Sequence, residues 1–205
     1  KNMIVKKLQS AESLGSTTYI CTDKTGTLTK NEMTATKLFF DSRIIDVTGT
    51  GYVPQGSFHC NGKELSPKQM EIFFRIGYLC NNAKISEENG KYGILGDPTE
   101  GSLVVLGKKA NLDREFESKF AFVQELPFDS ERKMMSKIYS NGKKSEAYVK
   151  GAPDILLAKC SFIMQNGRIK KINAKLCTKC IKLFKKASIA LDEQKAQTST
   201  ILATA

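Results

Sequence analysis

The spacing of apolar and polar positions changes twice along the chain, and each change predicts a different kind of element. Residues 17–22 (Thr-Thr-Tyr-Ile-Cys-Thr) are β-branched and aromatic and stop at Asp23-Lys24-Thr25-Gly26-Thr27, the pattern of a buried strand running into a loop. Residues 36–40 and 43–47 form two further short strand candidates, followed by a glycine-rich turn region through Gly56. The period then becomes helical. Ser66 suits an N-cap and Pro67 the first helical position, and Met70, Phe73, Phe74, Gly77 and Tyr78 make one apolar face that Asn81-Asn82 closes. Asp97-Pro98-Thr99-Glu100 repeats the signature and opens a second helix through Leu103, Val104 and Leu106.

Beyond that helix the period falls to two. Residues 120–126, 133–139 and 145–150 read as strands, the last two linked at Asn141-Gly142. A short helix over 153–159 precedes a hairpin of residues 161–165 and 168–172, turned by Asn166-Gly167. The middle of the chain is thus expected to be an antiparallel sheet with helices laid against it, an α/β (α+β) architecture. There is no internal repeat. Residues 173–191 place Leu176, Cys177, Cys180, Ile181, Phe184 and Ala187 at helical spacing among lysines, and the small, polar stretch from Ser188 onward carries no structural pattern.

Composition narrows the function classes. The 205 residues, 40% hydrophobic, are enough for one well-cored domain or two small ones. No apolar run approaches the roughly 18 residues needed to cross a bilayer, and the N-terminus lacks a signal-peptide core, so the expected location is cytoplasmic. The net charge of +11 is unevenly spread: residues 159–205 hold ten basic and two acidic groups, a net +8, and the rest is nearly balanced. A basic helix there suits an anionic lipid surface or, more commonly, the domain's own face. Without interleaved aromatics it does not suit nucleic acid. Of the six cysteines only Cys177 and Cys180 have metal-like spacing, and with the lone His59 far upstream they make a poor zinc site. Reduced thiols are expected.

The chemistry concentrates at Asp23. A carboxylate at the carboxyl end of a strand stands where open α/β sheets hold their ligands. Backbone N–H groups around Gly26 can nest an anion, with Thr25 and Thr27 as further donors. A carboxylate can also accept a phosphoryl group, given Mg²⁺ to offset the repulsion. The plainer reading is an Asp that caps a turn.

The whole string Asp23-Lys24-Thr25-Gly26-Thr27-Leu28-Thr29 resembles the phosphorylation signature of the cation-transporting P-type ATPases. Leu14-Gly15, Ile20-Cys21-Thr22 and Asn31-Glu32-Met33 around it are similar to that family too. Four more segments resemble its nucleotide-binding domain, in the expected order: Cys80-Asn81-Asn82-Ala83, Gly96-Asp97-Pro98-Thr99-Glu100-Gly101, Leu126-Pro127-Phe128-Asp129-Ser130-Glu131-Arg132-Lys133-Met134-Met135-Ser136, and Lys150-Gly151-Ala152-Pro153-Asp154. The combination is most similar to the calcium-pump-like (P2) branch.

The resemblance implies that Asp23, with Lys24 and Thr25, takes the γ-phosphate of ATP, and that Asp23 and the Thr25 carbonyl contact Mg²⁺. Related phosphatases carry a second Asp where Thr25 stands. Without that proton shuttle the acyl phosphate is longer-lived, as coupling to transport requires. The resemblance also implies that Phe128 stacks on adenine, that Glu100, Lys150 and Gly151 line the ATP pocket, and that Arg132 and Lys133 neutralise the triphosphate. Each has a plainer reading. Phe128 can be a core aromatic, Glu100 a capping-box partner, and Arg132, Lys133 and Lys150 solvated cations. Gly151 is read as a place where a ligand approaches the backbone.

The resemblance fades after about residue 165, and the family's later Thr-Gly-Asp and Gly-Asp-Gly-x-Asn-Asp segments do not occur. It therefore divides the chain into residues 1–33, the start of a HAD-like (Rossmannoid) phosphorylation domain, residues 34–175, the nucleotide-binding domain, and residues 176–205, a basic helix and unassigned tail. The expected partners are ATP and the remainder of an integral membrane pump: transmembrane helices, the rest of the phosphorylation domain and the actuator domain. Alone, the chain is expected to be monomeric, to bind ATP and hardly to phosphorylate itself. The alternative is a non-catalytic nucleotide- or partner-binding module with a basic membrane-surface helix.

Overall fold

Left-handed turn residues set the strand pattern of this computed structural model. It describes residues 32–112 and 118–173, with 7, 9, 12, 15–19, 21, 22, 178 and 182. Its two compact units are Lys1–Glu32 and Met33–Ala205. In the first, Gln9, Glu12 and Gly15 are helical, and the Ser16 N–H donates to the Glu12 carbonyl at 3.2 Å. The strand expected over 17–22 is not formed. Thr17, Thr18, Tyr19, Cys21 and Thr22 are exposed and irregular, Tyr19 at 87%. A strand of buried character exists only inside a sheet that covers it, and no described strand runs beside this one. Asp23, Lys24 and Thr25 lie outside the described residues, as does most of the basic segment, of which Thr178 and Lys182 are helical and exposed.

The second unit is α+β, and all its strand pairs are antiparallel. Strands β1 (Lys37–Phe40), β2 (Arg43–Val47), β3 (Phe58–Cys60) and β4 (Lys63–Glu64) form one sheet in chain order. Then come a 3₁₀ turn (Pro67–Met70), helix α1 (Glu71–Leu79), the hairpin β5 (Lys84–Glu88) and β6 (Lys91–Leu95), and helix α2 (Pro98–Lys109). A three-stranded sheet of β7 (Ala121–Asp129), β8 (Met134–Ser140) and β9 (Ser145–Gly151) follows, then α3 (Pro153–Lys159) and the hairpin β10 (Phe162–Gln165) and β11 (Arg168–Lys171). The single expected sheet is therefore four sheets. The hairpins β3–β4 and β5–β6 were not expected, although they turn on Asn61-Gly62 and Asn89-Gly90, whose positive φ angles match those at Asn166-Gly167. Asn141-Gly142 works differently, because there the Asn141 carboxamide oxygen accepts from the Lys143 and Lys144 N–H groups.

The core gathers around α1. Phe74 stacks on Phe58 at 4.8 Å and meets Phe73 edge-on, and Phe73 meets Phe40, which joins α1 to β1 and β3. On the other sheet the Tyr139 hydroxyl donates to the Leu79 carbonyl at 2.9 Å. Ser66 has the expected extended backbone but makes no side-chain cap, and the chain tightens to 3₁₀ before α1 begins. Helix α2 is buried from Gly101 to Gly107. Lys109, near its end, is 6% exposed and donates to the Thr48 carbonyl at 2.8 Å. The helices approach closely because Gly107 has no side chain: a Cβ there would lie 2.7 Å from the Tyr78 ring and 3.1 Å from its Cβ. Gly107→Ala would gain helix propensity of ~1 kcal/mol and force the helices apart at a typical cost of 1–3 kcal/mol. Urea unfolding is expected to show a net loss of about 1 kcal/mol, read as a lower midpoint at unchanged m-value.

Candidate functional site

The first turn of α2 carries the site's acidic group. Asp97 caps the helix, its Oδ1 accepting from the Thr99 N–H at 2.8 Å and the Glu100 N–H at 3.1 Å. The reciprocal half of the capping box does not form. Glu100 instead turns both oxygens elsewhere: Oε2 accepts from the Asn82 N–H at 2.8 Å, and Oε1 pairs with Lys150 Nζ at 2.5 Å. The two side chains of that ion pair are 18% and 12% exposed. It joins α2 to the end of β9.

Opposite Lys150 in the register is Met135, and Met134 stands opposite both Gly151 and Asp129. Lys133, Gly151 and the Phe128 segment therefore meet at one end of the three-stranded sheet. Pro127 has no N–H to give the ladder, and pairing shifts between Leu126 and Asp129. Phe128 stands in this irregular stretch and is 65% exposed, so it is not a core aromatic.

The turn that carries it is closed by its own polar groups. Asp129 Oδ1 accepts from the Glu131 and Arg132 N–H groups at 2.9 and 2.8 Å, and the Lys133 N–H donates to the Asp129 carbonyl at 2.7 Å. Lys133 completes the turn in the left-handed region, at φ 52°. Arg132 braces the same turn. Its Nη2 donates to the carbonyls of Leu126, Pro127 and Met134, so the guanidinium holds both sides of the Phe128 segment. Gly151 is closely packed. A Cβ there would lie 2.4 Å from the Lys133 carbonyl oxygen, which accepts from the Ala152 N–H, so the glycine admits the neighbouring strand itself.

The Cys80-Asn81-Asn82-Ala83 turn, to which the sequence reading gave no role, ties these elements together. Asn81 Nδ2 donates to the Glu100 and Gly77 carbonyls, and its Oδ1 accepts from the Ala83 N–H. Lys137, in β8, donates to the Asn81 carbonyl at 2.7 Å and to Asn82 Oδ1 at 2.6 Å. Asn82 Nδ2 in turn donates to Glu125 Oε1 at 2.8 Å. Burial pushes the Cys80 thiol above its ordinary value, opposed by the Lys150 and Lys137 ammonium groups beside it. Cys21, Cys60, Cys80 and Cys160 are free thiols, and Cys177 and Cys180 lie outside the described residues. A separate open cleft of about 940 Å³ borders Tyr78, Asn82, Lys84, Lys108, Lys137 and Tyr139, and none of the expected site residues lines it. No described helix is long and apolar enough to cross a membrane.

Comparison with known proteins gives the family of the chain. Residues 69–199 match a family model described as P-type ATPase, cytoplasmic domain N. The chain is 39% identical over 204 residues to a calcium-transporting ATPase of Bacillus subtilis (strain 168), an alignment covering 97% of this chain and 21% of the relative. It is 36% identical over 187 residues to the calcium-transporting ATPase lmo0841 of Listeria monocytogenes, covering 87% of this chain and 19% of the relative. It is 33% identical over 198 residues to the endoplasmic reticulum calcium ATPase srcA of Aspergillus fumigatus, covering 80% and 20%. The chain thus spans about a fifth of the length of these relatives.

The two N–H bonds to Asp129 hold its carboxyl below the ordinary value of 3.8, the Arg132 bond contributing most. A depressed folded-state pKa stabilises the turn fully above that ordinary value and loses the contribution as pH falls through the folded value. Hydrogen exchange is therefore expected to show Glu131 and Arg132 amides losing protection below about pH 4, while β8 amides keep theirs. In Asp129→Asn that acid-dependent loss disappears.

Proposed function

The chain belongs to the P-type ATPases as part of their cytoplasmic domain N, and on that premise we propose that it binds ATP at the end of the β7–β9 sheet. The observation that carries the reading is an exposed aromatic ring on a hydrogen-bonded turn at the same sheet end as a part-buried Lys–Glu pair. Base–aromatic stacking contributes on the order of 1–3 kcal/mol, and Phe128 offers such a face without reorganisation. Lys133, exposed at the same sheet end, supplies positive charge for the triphosphate. Lys150 stands at the same sheet end with Glu100 as its counter-ion, which orients the ammonium. Arg132 supports the ring by holding its turn.

In the whole pump the HAD-like phosphorylation domain, to which residues 1–33 belong by resemblance, receives the γ-phosphoryl group. An Asp23 carboxylate oxygen attacks the γ-phosphorus, the bond to the β–γ bridging oxygen breaks, ADP leaves, and an aspartyl phosphate remains. The oxygen donors assigned to the metal, the Asp23 carboxylate and the Thr25 carbonyl, are the hard ligands that Mg²⁺ takes. When bound, that ion neutralises charge on the phosphate oxygens. Calcium is the transported ion favoured by the relatives' names. The chain spans about a fifth of those relatives, and phosphoryl transfer is assigned here to the whole pump.

Calorimetric titration of ATP into the chain tests the reading. Phe128→Ala is expected to weaken binding tenfold or more, as losing ~1.4 kcal/mol of stacking implies, and Lys150→Ala to weaken it as well. Equal affinity for the wild type and Phe128→Ala would overturn the assignment.

A further inference from the structure

Lys137 is a buried cation that the proposed ATP site does not use. It is 7% exposed, in a strand whose neighbours Met134, Met135 and Ser136 are also buried. A lysine there must be held by several acceptors at once, and three groups hold it. Its Nζ donates to the Asn81 carbonyl and to Asn82 Oδ1, and stands 3.5 Å from Glu125 Oε2. Asn82 Nδ2 donates to the other Glu125 oxygen, so Lys137, Glu125 and Asn82 close a ring of charge-assisted hydrogen bonds.

That ring ends at the nucleotide site. Both the main chain and the side chain of the 81–82 turn are pinned by Lys137, and this fixes where the Asn82 N–H points. It points at Glu100 Oε2. With that oxygen engaged, Oε1 faces Lys150 Nζ. The turn also meets the Glu100 main chain, through Asn81 Nδ2 to the Glu100 carbonyl at 2.8 Å. The path from Lys137 to Lys150 thus runs through short hydrogen bonds without a gap. The Glu100 side chain at its centre is the element it orients.

We infer that Lys137 is a positioning residue for nucleotide binding, acting through Asn82 and Glu100 on Lys150. The inference rests on the ATP reading above. Lys137 itself touches no nucleotide. Its contribution is to hold the Lys150–Glu100 pair in one geometry before the ligand arrives.

A double-mutant cycle on the 205-residue chain tests this. Lys137→Met, of similar length and uncharged, is expected to weaken ATP binding roughly five- to tenfold, the range of one ordinary hydrogen bond, because the effect reaches the site indirectly. In Lys137→Met/Glu100→Gln the loss is expected to equal that of Glu100→Gln alone, because both act on one path. In Lys137→Met/Phe128→Ala the losses multiply. A lysine that merely stabilises the fold would give multiplying losses in both pairs, and that result would overturn the inference. Should Lys137→Met fail to fold, Asn82→Ala, at an exposed position, removes the side-chain bonds to Lys137 and Glu125 while keeping the N–H to Glu100, and is expected to show a smaller loss with the same coupling to Glu100→Gln. The ¹H–¹⁵N signal of the Asn82 amide separates this inference from the ATP reading. Without nucleotide, Lys137→Met and Glu100→Gln are both expected to move it. If the wild type binds no ATP, the ATP reading fails, and the amide alone decides: movement in both variants supports the relay, and a signal unmoved by Lys137→Met overturns it.

Discussion

The ion pair between Lys150 and Glu100 is the interaction on which the site's geometry depends. It joins the first turn of α2 to the end of β9, and through Glu100's second oxygen it also fixes the turn after α1. Both groups are largely withdrawn from water, so each satisfies the other's hydrogen-bonding need. Removing one partner of a buried pair typically costs about 3–5 kcal/mol, whereas replacing both with apolar groups is often neutral. Such a pair is weak evidence for added stability and better explained as specifying an arrangement. Here that arrangement is α2, β9 and the turn after α1 meeting at one end of the β7–β9 sheet.

The other side of the site has an opposite design. Phe128 leaves most of its ring in water, which no folding term favours, on a turn whose backbone is closely held. Asp129 closes the turn from within, Arg132 braces it across three carbonyls, and Lys133 ends it in a conformation that side chains rarely adopt. Exposed apolar area and left-handed backbone together are the local costs that functional sites carry and the surrounding fold offsets. The buried aromatic ladder from Phe40 through Phe73 and Phe74 to Phe58 is part of what offsets them.

Much of this fold was legible from periodicity. The strands β1, β2, β8 and β9 and the helices α2 and α3 lie within a residue or two of the expected places, because period-two and helical patterns report directly on which face is buried. The missed hairpins are short and polar. β4 has two residues and β5 reads Lys-Ile-Ser-Glu-Glu, so only the Asn-Gly turns announced them. The strand expected over 17–22 failed because its apolar pattern requires covering layers that no described element supplies. At this sheet end the partners of individual side chains were not legible in the sequence. Glu100 bonds away from its own helix, Arg132 toward main-chain carbonyls and Gly151 beside a neighbouring strand, and each destination is set by elements distant in sequence. Lys137 is the extreme case, since a single lysine in an alternating strand reads as solvent-facing until its partners from the 81–82 turn are in view.

The most direct test of the account is to map ATP onto the ¹⁵N-labelled chain by chemical-shift perturbation. Shifts centred on residues 126–135 and 150–152, with Glu100 and the Asn82 amide following, are the predicted result. Shifts centred instead on the open cleft around Tyr78, Lys84 and Lys108, with the Phe128 turn unmoved, would contradict it.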